Sequence, residues 1–383
     1  MGRKWLVGTC VIVIILVLAL IFGAFSSTGL FSLTKETSPV VLGAIFPQSG
    51  ALAYVGPFMQ GGATIAMDEI NSTGGINGHK LEFVFEDSQS ATAQGVTAYQ
   101  KLSGIDGIKY YLVSLSGVTL GIAPLAEKEK NLVLNTGSYA QAISSAGDYI
   151  FRHNILPNDE VSYLANSICN KFGYKKIALI YANTEAGVSI RDLFSADFSS
   201  CGTIVTKEAY DVAGKDFKTQ LSKIKLSNPD AIFAITYSSE SGLLFNQAKE
   251  IGLEKQWFAV SAIESKSFLD VAGNNADGLI YSSFPIRTAS PKYIAFREKY
   301  LAKYGEEPDM LSSLTYDSTY VFAEAMKHCV DLNDSTCIKN ELYKVQNFDG
   351  LTGKISFDTN GDTRKEVILK TVRHGKFFPY QAN

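Results

Sequence analysis

VVLGAIFPQSGALAYVGPFMQGGATIAMDEINSTGGINGHKLEFVFED, residues 40–87, changes its hydrophobic period twice. Val40–Phe46 is an unbroken apolar run, the pattern of a strand covered on both faces. Phe58, Gly62, Ile65, Ala66 and Ile70 then share one helical face, and from Leu81 to Phe85 the residues alternate as in a strand. A strand, a helix and a strand in this order predict a parallel sheet covered by helices. The glycines between helix and second strand, Gly74, Gly75 and Gly78, read as scaffold. Ligands of open parallel sheets sit outside the carboxyl ends of strands, and this loop lies at the other edge. Gly74 or Gly75 is expected to end the helix in a left-handed cap, with Gly78 serving the following turn.

The alternation continues through a helix over 91–103, a strand over 110–114, a helix over 119–129 and a strand over 132–134. It restarts after Arg152, with strands expected at 176–182, 203–209, 229–237 and 257–262, separated by helices over 187–198, 216–226 and 241–251. The sequence therefore predicts an α/β protein with two successive units of similar size. Three helices follow the stretch 278–286, near 291–304, 311–329 and 335–346. ISFDTNGDTRKEVILKTV, residues 355–372, then reads as a hairpin turning at Asn360-Gly361.

A chain of 383 residues exceeds what one hydrophobic core usually serves, in keeping with two lobes. The formal net charge of −3, with no basic run beyond the N-terminus, excludes a nucleic-acid surface. Arg3 and Lys4 precede 21 uncharged, mostly apolar residues, Trp5 to Phe25, long enough to span a bilayer and oriented to export the rest of the chain. Residues 1–26 are either a membrane anchor or a signal peptide cut near Ala24-Phe25-Ser26, and 27–38 form a polar tether. Cys10 falls in the apolar segment, leaving four cysteines, for which the pairs Cys169–Cys201 and Cys329–Cys337 are expected, in keeping with an extracytoplasmic location. Their spacing matches no metal site.

The loops leaving strand ends, 46–56, 114–121 and 135–141, are rich in Ser, Thr, Gly and Tyr and poor in Lys, Arg and His. They offer hydroxyls, backbone N–H groups and helix N-termini, which suit a small anionic group. Ser116, at the start of a helix, fits either a simple N-cap or an anion ligand. Enzymatic patterns are missing: the four histidines lack HExxH spacing, and there is no GxSxG, Walker or GxGxxG motif. Asp87, at the end of a strand, reads as a loop organiser. Neither catalysis nor a cofactor is expected.

Four stretches carry a family resemblance. GAIFPQSGALAYVGPFMQGGATIAMDEINSTGGINGHKLEFVFEDSQS resembles the opening of type I extracytoplasmic solute-binding proteins of the leucine/isoleucine/valine-binding kind. SLSGVTLGIAPLAEKEKNLVLNTGS is similar to their carboxylate-holding block, PDAIFAITYSSESGLLFNQAKEIGL to their second-lobe ligand strand and helix, and LSSLTYDSTYVFAEAM to their late tyrosine–aspartate helix. The likeness runs from about residue 39 to 380. It implies two doubly wound parallel-sheet lobes joined by a hinge of three crossing strands, near Arg152–Asn154, Ser283–Ile286 and Ile355–Phe357. The first lobe would hold 39–153 plus 286–355, and the second 154–285 plus 356–383.

The resemblance further implies a small amino acid or related solute bound between the lobes and passed to the permease of an ABC importer. A sensing module, or a binder of amides, urea-like compounds or aromatic acids, is the alternative. Carried over by position, Tyr54 covers the ligand and Ser116 with the Gly117 amide binds its carboxylate. Gly137 and Tyr139 face the ammonium group, and Tyr237 closes from the second lobe. The acid that meets the ammonium in this family aligns with Ser261 or Ala262 here, with Glu264 just beyond as the candidate.

Overall fold

The computed structural model describes residues 38–381; the expected anchor or signal segment and most of the tether lie outside them. The first unit runs β1 (Val40–Phe46), α1 (Val55–Ser72), β2 (Leu81–Asp87), α2 (Thr92–Gly104), β3 (Tyr110–Val113), α3 (Ser116–Glu129), β4 (Leu132–Thr136) and β5 (Ile150–His153). Its strands form one parallel sheet in the order β2-β1-β3-β4-β5. β3 and β4 are buried along their whole length, as continuous apolar runs require when helices cover both faces.

The second unit runs α4 (Pro157–Asn166), β6 (Lys176–Ala182), α5 (Glu185–Phe198), β7 (Thr203–Tyr210), α6 (Lys218–Leu226), β8 (Ala231–Ile235), α7 (Ser238–Glu250), β9 (Gln256–Ala259), α8 (Lys266–Ala272) and β10 (Ile280–Ser283). α9 (Pro291–Tyr304), α10 (Met310–Lys327) and α11 (Ser335–Lys344) follow, α10 packing along α1 of the first unit. A short ribbon, β11 (Phe348–Gly350) with β12 (Gly353–Ile355), precedes β13 (Ile368–Arg373) and β14 (Lys376–Pro379). The second sheet is mixed, in the order β14-β13-β10-β9-β8-β6-β7, with β13 and β14 antiparallel to their neighbours.

The glycine cluster after α1 is structural. Gly74 and Gly75 both have positive φ, and the Gly75 N–H donates to the Ile70 carbonyl at 2.9 Å, closing the helix end. The Asn77 amide side chain fastens the loop to the Lys327 and Cys329 carbonyls.

The expected hairpin at Asn360-Gly361 is corrected. β12 pairs back onto β11, and around Asn360-Gly361 there is only a single bridge, Phe357 to Thr363, closing a loop organised by Asp358. Gly361 has positive φ but Asn360 does not, so no type I′ turn forms. The regular hairpin is β13–β14, whose turn residues His374 and Gly375 both take positive φ. α4 ends at Asn166, and one wider turn follows from Ser167 to Lys171.

The passages between the sheets are tied together. The Arg152 N–H donates to Gly361 O and the Thr363 N–H to Arg152 O. The Arg152 side chain, fully buried, donates from Nε to Asp362 Oδ1 at 2.7 Å, from Nη1 to the Ala140 carbonyl and from Nη2 to Ser144 Oγ. A buried pair with its remaining N–H groups engaged is costly to break from one side. These bonds keep 357–363 beside β5, so the last passage into the second sheet falls between Thr363 and Ile368, beyond the expected Ile355–Phe357. Cys169–Cys201 and Cys329–Cys337 stand at disulfide distance, with Cα separations of 6.3 and 6.1 Å.

Candidate functional site

Between the two sheets lies a cavity with an empty volume of about 930 Å³, counting the space open at its mouth. Tyr54, Ser116, Gly117, Gly137, Tyr139, Tyr237 and Glu264, the seven residues singled out in the sequence, all line it.

The first-lobe wall begins at Leu115, which takes φ +68° between β3 and α3. A side chain in this left-handed region is strained, on the order of 1–3 kcal/mol. The sharp turn brings the opening of α3 to the cavity, where Leu115, Ser116, Gly117 and Val118 are all part of the wall. The first helical N–H bond runs from Thr119 to Leu115 O, so the amides before it have no acceptor within the helix. Ser116 makes no N-cap bond. Its Oγ accepts the N–H groups of Tyr139 at 3.1 Å and Ala140 at 3.0 Å, locking the loop after β4, and its own proton is left to donate. A Cβ at Gly117 would stand 2.6 Å from Thr92 Oγ1 and 2.7 Å from Glu185 Oε2, so any side chain there would have to push these two aside. Gly137 has φ +83°, which favours glycine, and faces Leu311 and Met59.

Asp87 is the loop organiser it reads as. One carboxylate accepts the N–H groups of Gln48, Ser49 and Gln89 and the Ser49 hydroxyl. Burial raises its pKa, but these bonds outweigh burial and the net shift is downward. The loop carrying Tyr54 is thereby fixed to the end of β2.

The second-lobe wall is made differently. The Tyr237 hydroxyl meets Thr184 Oγ1 at 3.1 Å, and Thr184 caps α5 by accepting the Gly187 N–H. Burial pushes the Tyr237 phenol up to about 12. Tyr139 reaches across, its hydroxyl 2.8 Å from Ser261 Oγ, and the Gln141 N–H donates to Ser189 Oγ, so hydrogen bonds cross between the lobes. Behind Ser261 stands Glu160, fully buried. Its Oε1 accepts the Ser261 N–H at 2.7 Å and the Ser282 hydroxyl at 3.1 Å, whereas Oε2 has no partner. Burial pushes this carboxyl up to about 7.

Glu264 contributes to the wall, but its charge is already answered. One oxygen pairs with Lys370 Nζ and the other accepts the Ser283 hydroxyl at 2.9 Å. Ser261, at the aligned acid position, is bonded to Tyr139. The sequence placed Glu264 on the cavity wall without showing its pairing with Lys370. It also passed over Asp309, Met310 and Leu311, Thr184 and Glu185, and Ser90 and Thr92, all on the cavity wall. For Asp309 a signal exists: Asp309-x-x-Ser312 opens an apolar helix, and Asp309 Oδ1 accepts the Ser312 N–H at 2.8 Å. That pattern marks a cap and says nothing of a cavity. Among the described residues no cluster of His, Cys, Asp and Glu could hold a metal ion.

Residues 39–373 match the sequence profile of the periplasmic binding protein family. The leucine-, isoleucine-, valine-, threonine- and alanine-binding protein of Pseudomonas aeruginosa is 24% identical over 350 residues, 91% of this chain and 93% of the relative. The Leu/Ile/Val-binding protein homolog 1 of Brucella abortus is 27% identical over 332 residues, 85% and 88% of the two chains. Among solved structures, the branched-chain amino acid transporter substrate-binding protein LivJ of Streptococcus pneumoniae, in complex with isoleucine, superposes with a TM-score of 0.80 at 30% identity, covering 88% of this chain and 97% of the other. A solute-binding protein of R. palustris in complex with benzoate has the same fold, with a TM-score of 0.82 at 17% identity, covering 89% and 95%. With two α/β lobes around a cavity lined by hydroxyls and backbone amides, and a profile match over almost the whole described chain, the protein belongs to the periplasmic binding protein family of extracytoplasmic solute-binding proteins, which are not enzymes.

Proposed function

We propose that this protein captures a small amino acid or related carboxylate between its lobes and delivers it to the permease of an ABC importer. The observation that carries the reading is the convergence of all seven residues from two lobes on one cavity. The ligand carboxylate is held by the Ser116 hydroxyl and the Gly117 amide at the opening of α3, where the helix dipole favours negative charge. Tyr54 covers it, Gly137 and Tyr139 form the side opposite Ser261, and Tyr237 closes from the second lobe. In this reading 39–153, 286–355 and the adjoining 356–362 move as one body, and 154–285 with the chain after Thr363 as the other. The ligand favours the closed arrangement by its contacts to both walls. Residues 1–26 export the protein, as an anchor or as a signal that is removed.

Thermal-shift measurements with individual amino acids test this. At least one is expected to raise the melting temperature, and Ser116→Ala to abolish most of that shift; no response to any amino acid overturns the amino-acid version. A second reading has a specific observation behind it. Because Lys370 and Ser283 occupy both oxygens of Glu264, the cleft also suits a carboxylic acid that lacks an amino group. The same assay with aliphatic and aromatic acids separates the two.

A further inference from the structure

Among the described residues the cavity wall carries three carboxylates, Glu185, Glu264 and Asp309, and no Lys, Arg or His. They are not equivalent. Glu264 is bound to Lys370 and Ser283. Glu185 is exposed, and its carboxylate lies against Gly117, where an ammonium group beside the bound carboxylate would not reach a buried partner. Asp309 is partly buried, and among the described residues no cation lies within ion-pair distance of it. Its segment adjoins the anion-binding corner: Leu311 faces Gly137, and the loop from Gly137 to Ala140 is the one that Ser116 Oγ locks. An enclosed carboxylate without a cation is costly, and burial accordingly pushes Asp309 up to about 7.

We propose that Asp309, rather than Glu264, is the carboxylate that binds the cationic or N–H-donating group of the ligand. The assignment rests on the transport reading and narrows its substrate class to zwitterions, with the carboxylate at Ser116–Gly117 and the ammonium group at Asp309. The first lobe alone then holds both charges of the ligand, and the second lobe supplies cover. The same arrangement explains how the cleft tolerates Ser261 and Tyr139 meeting each other in place of a second-lobe acid.

Isothermal titration of the wild-type protein, Asp309→Asn and Glu264→Gln tests it. The probes are L-leucine, L-isoleucine, L-valine, L-threonine and L-alanine, each beside the carboxylic acid lacking its amino group, such as 4-methylpentanoate for leucine. Asparagine keeps the cap bond to Ser312, so Asp309→Asn is expected to fold; a melting curve within a few degrees of wild type checks that. Wild type should prefer the amino acid to its deaminated partner. Asp309→Asn should weaken amino-acid binding roughly 30-fold or more and shrink that preference, while Glu264→Gln changes it several-fold at most. Amino-acid binding that survives Asp309→Asn but is lost in Glu264→Gln overturns this assignment and leaves the transport reading standing. Tighter binding of deaminated acids by wild type overturns the zwitterion class, and no wild-type response to either series overturns both readings.

Discussion

The two walls of the cleft solve the problem of polar groups in a closed space in opposite ways. The first-lobe wall presents backbone and hydroxyl groups fixed by Ser116, and the helix that opens at Asp309 carries a fully satisfied buried acid further along. Asp317 on α10 accepts the N–H groups of Leu351 and Thr352, both at 2.8 Å, and the Thr352 hydroxyl at 2.7 Å, with Lys365 donating to the same threonine. The second-lobe wall rests on Glu160, which holds Ser261 and Ser282 but leaves one oxygen without a partner. Both carboxyls are raised by burial. One is locked by three donors; the other is held at one oxygen only.

The largest effect should come from breaking the locked side. Asp317→Ala is expected to cost about 3–5 kcal/mol of stability, because it strands buried N–H groups and the Lys365 ammonium, whose pKa burial already lowers to about 8. Urea unfolding reads this directly, and a loss comparable to an ordinary surface substitution would remove the distinction between the two acids. Next, Ser116→Ala should weaken carboxylate binding by about 2–3 kcal/mol, the range for a hydrogen bond to a charged group plus the released loop. Tyr237→Phe on the facing wall removes only a neutral bond to Thr184 and should cost about 1 kcal/mol or less in the same titration. Equal losses would show that the second wall shares the anchoring. Gly137→Ala sharpens the geometric side of the comparison. Its φ of +83° should make alanine cost about 1–2 kcal/mol in folding, with affinity lowered by the Leu311 contact at 3.1 Å.

The acid of the second wall is tested by a pH dependence. Glu160 titrates near 4.5 when unfolded and about 7 when folded. Between these values the folded protein binds the extra proton, so this group's stabilising contribution is full below 4.5 and is lost as pH rises through 7. His153 acts in the opposite direction, since burial lowers its pKa and its contribution fades as pH falls through 6.5. Comparing Glu160→Gln with wild type at pH 5.5 and 7.5 cancels the histidine. The variant should lose less stability than wild type on going to 7.5, and identical slopes would mean that Glu160 is already hydrated.

Much of this was legible because it is local. Val40–Phe46 announces a doubly covered strand by its unbroken apolar run, and Gly74-Gly75 announces the end of a helix. The hydroxyl- and glycine-rich loops after β1, β3 and β4 fall on the cavity because strand ends in a parallel sheet all point one way. What was not legible lies where two distant segments compete for one partner. Asn360-Gly361 has hairpin chemistry, yet Arg152 and Asp362 hold that segment beside β5, and the true turn is at His374-Gly375. Glu264 stands near the aligned acid position, yet Lys370, 106 residues away, takes its charge.

By itself, then, the sequence determined the alternation of strands and helices, the two-lobe plan and the loops that face the cleft, because period and turn chemistry act over a few residues. Tertiary structure alone decided which carboxylates keep a free charge. That depends on the lysines, serines and backbone donors that folding brings within about 3 Å, and no spacing along the chain encodes it.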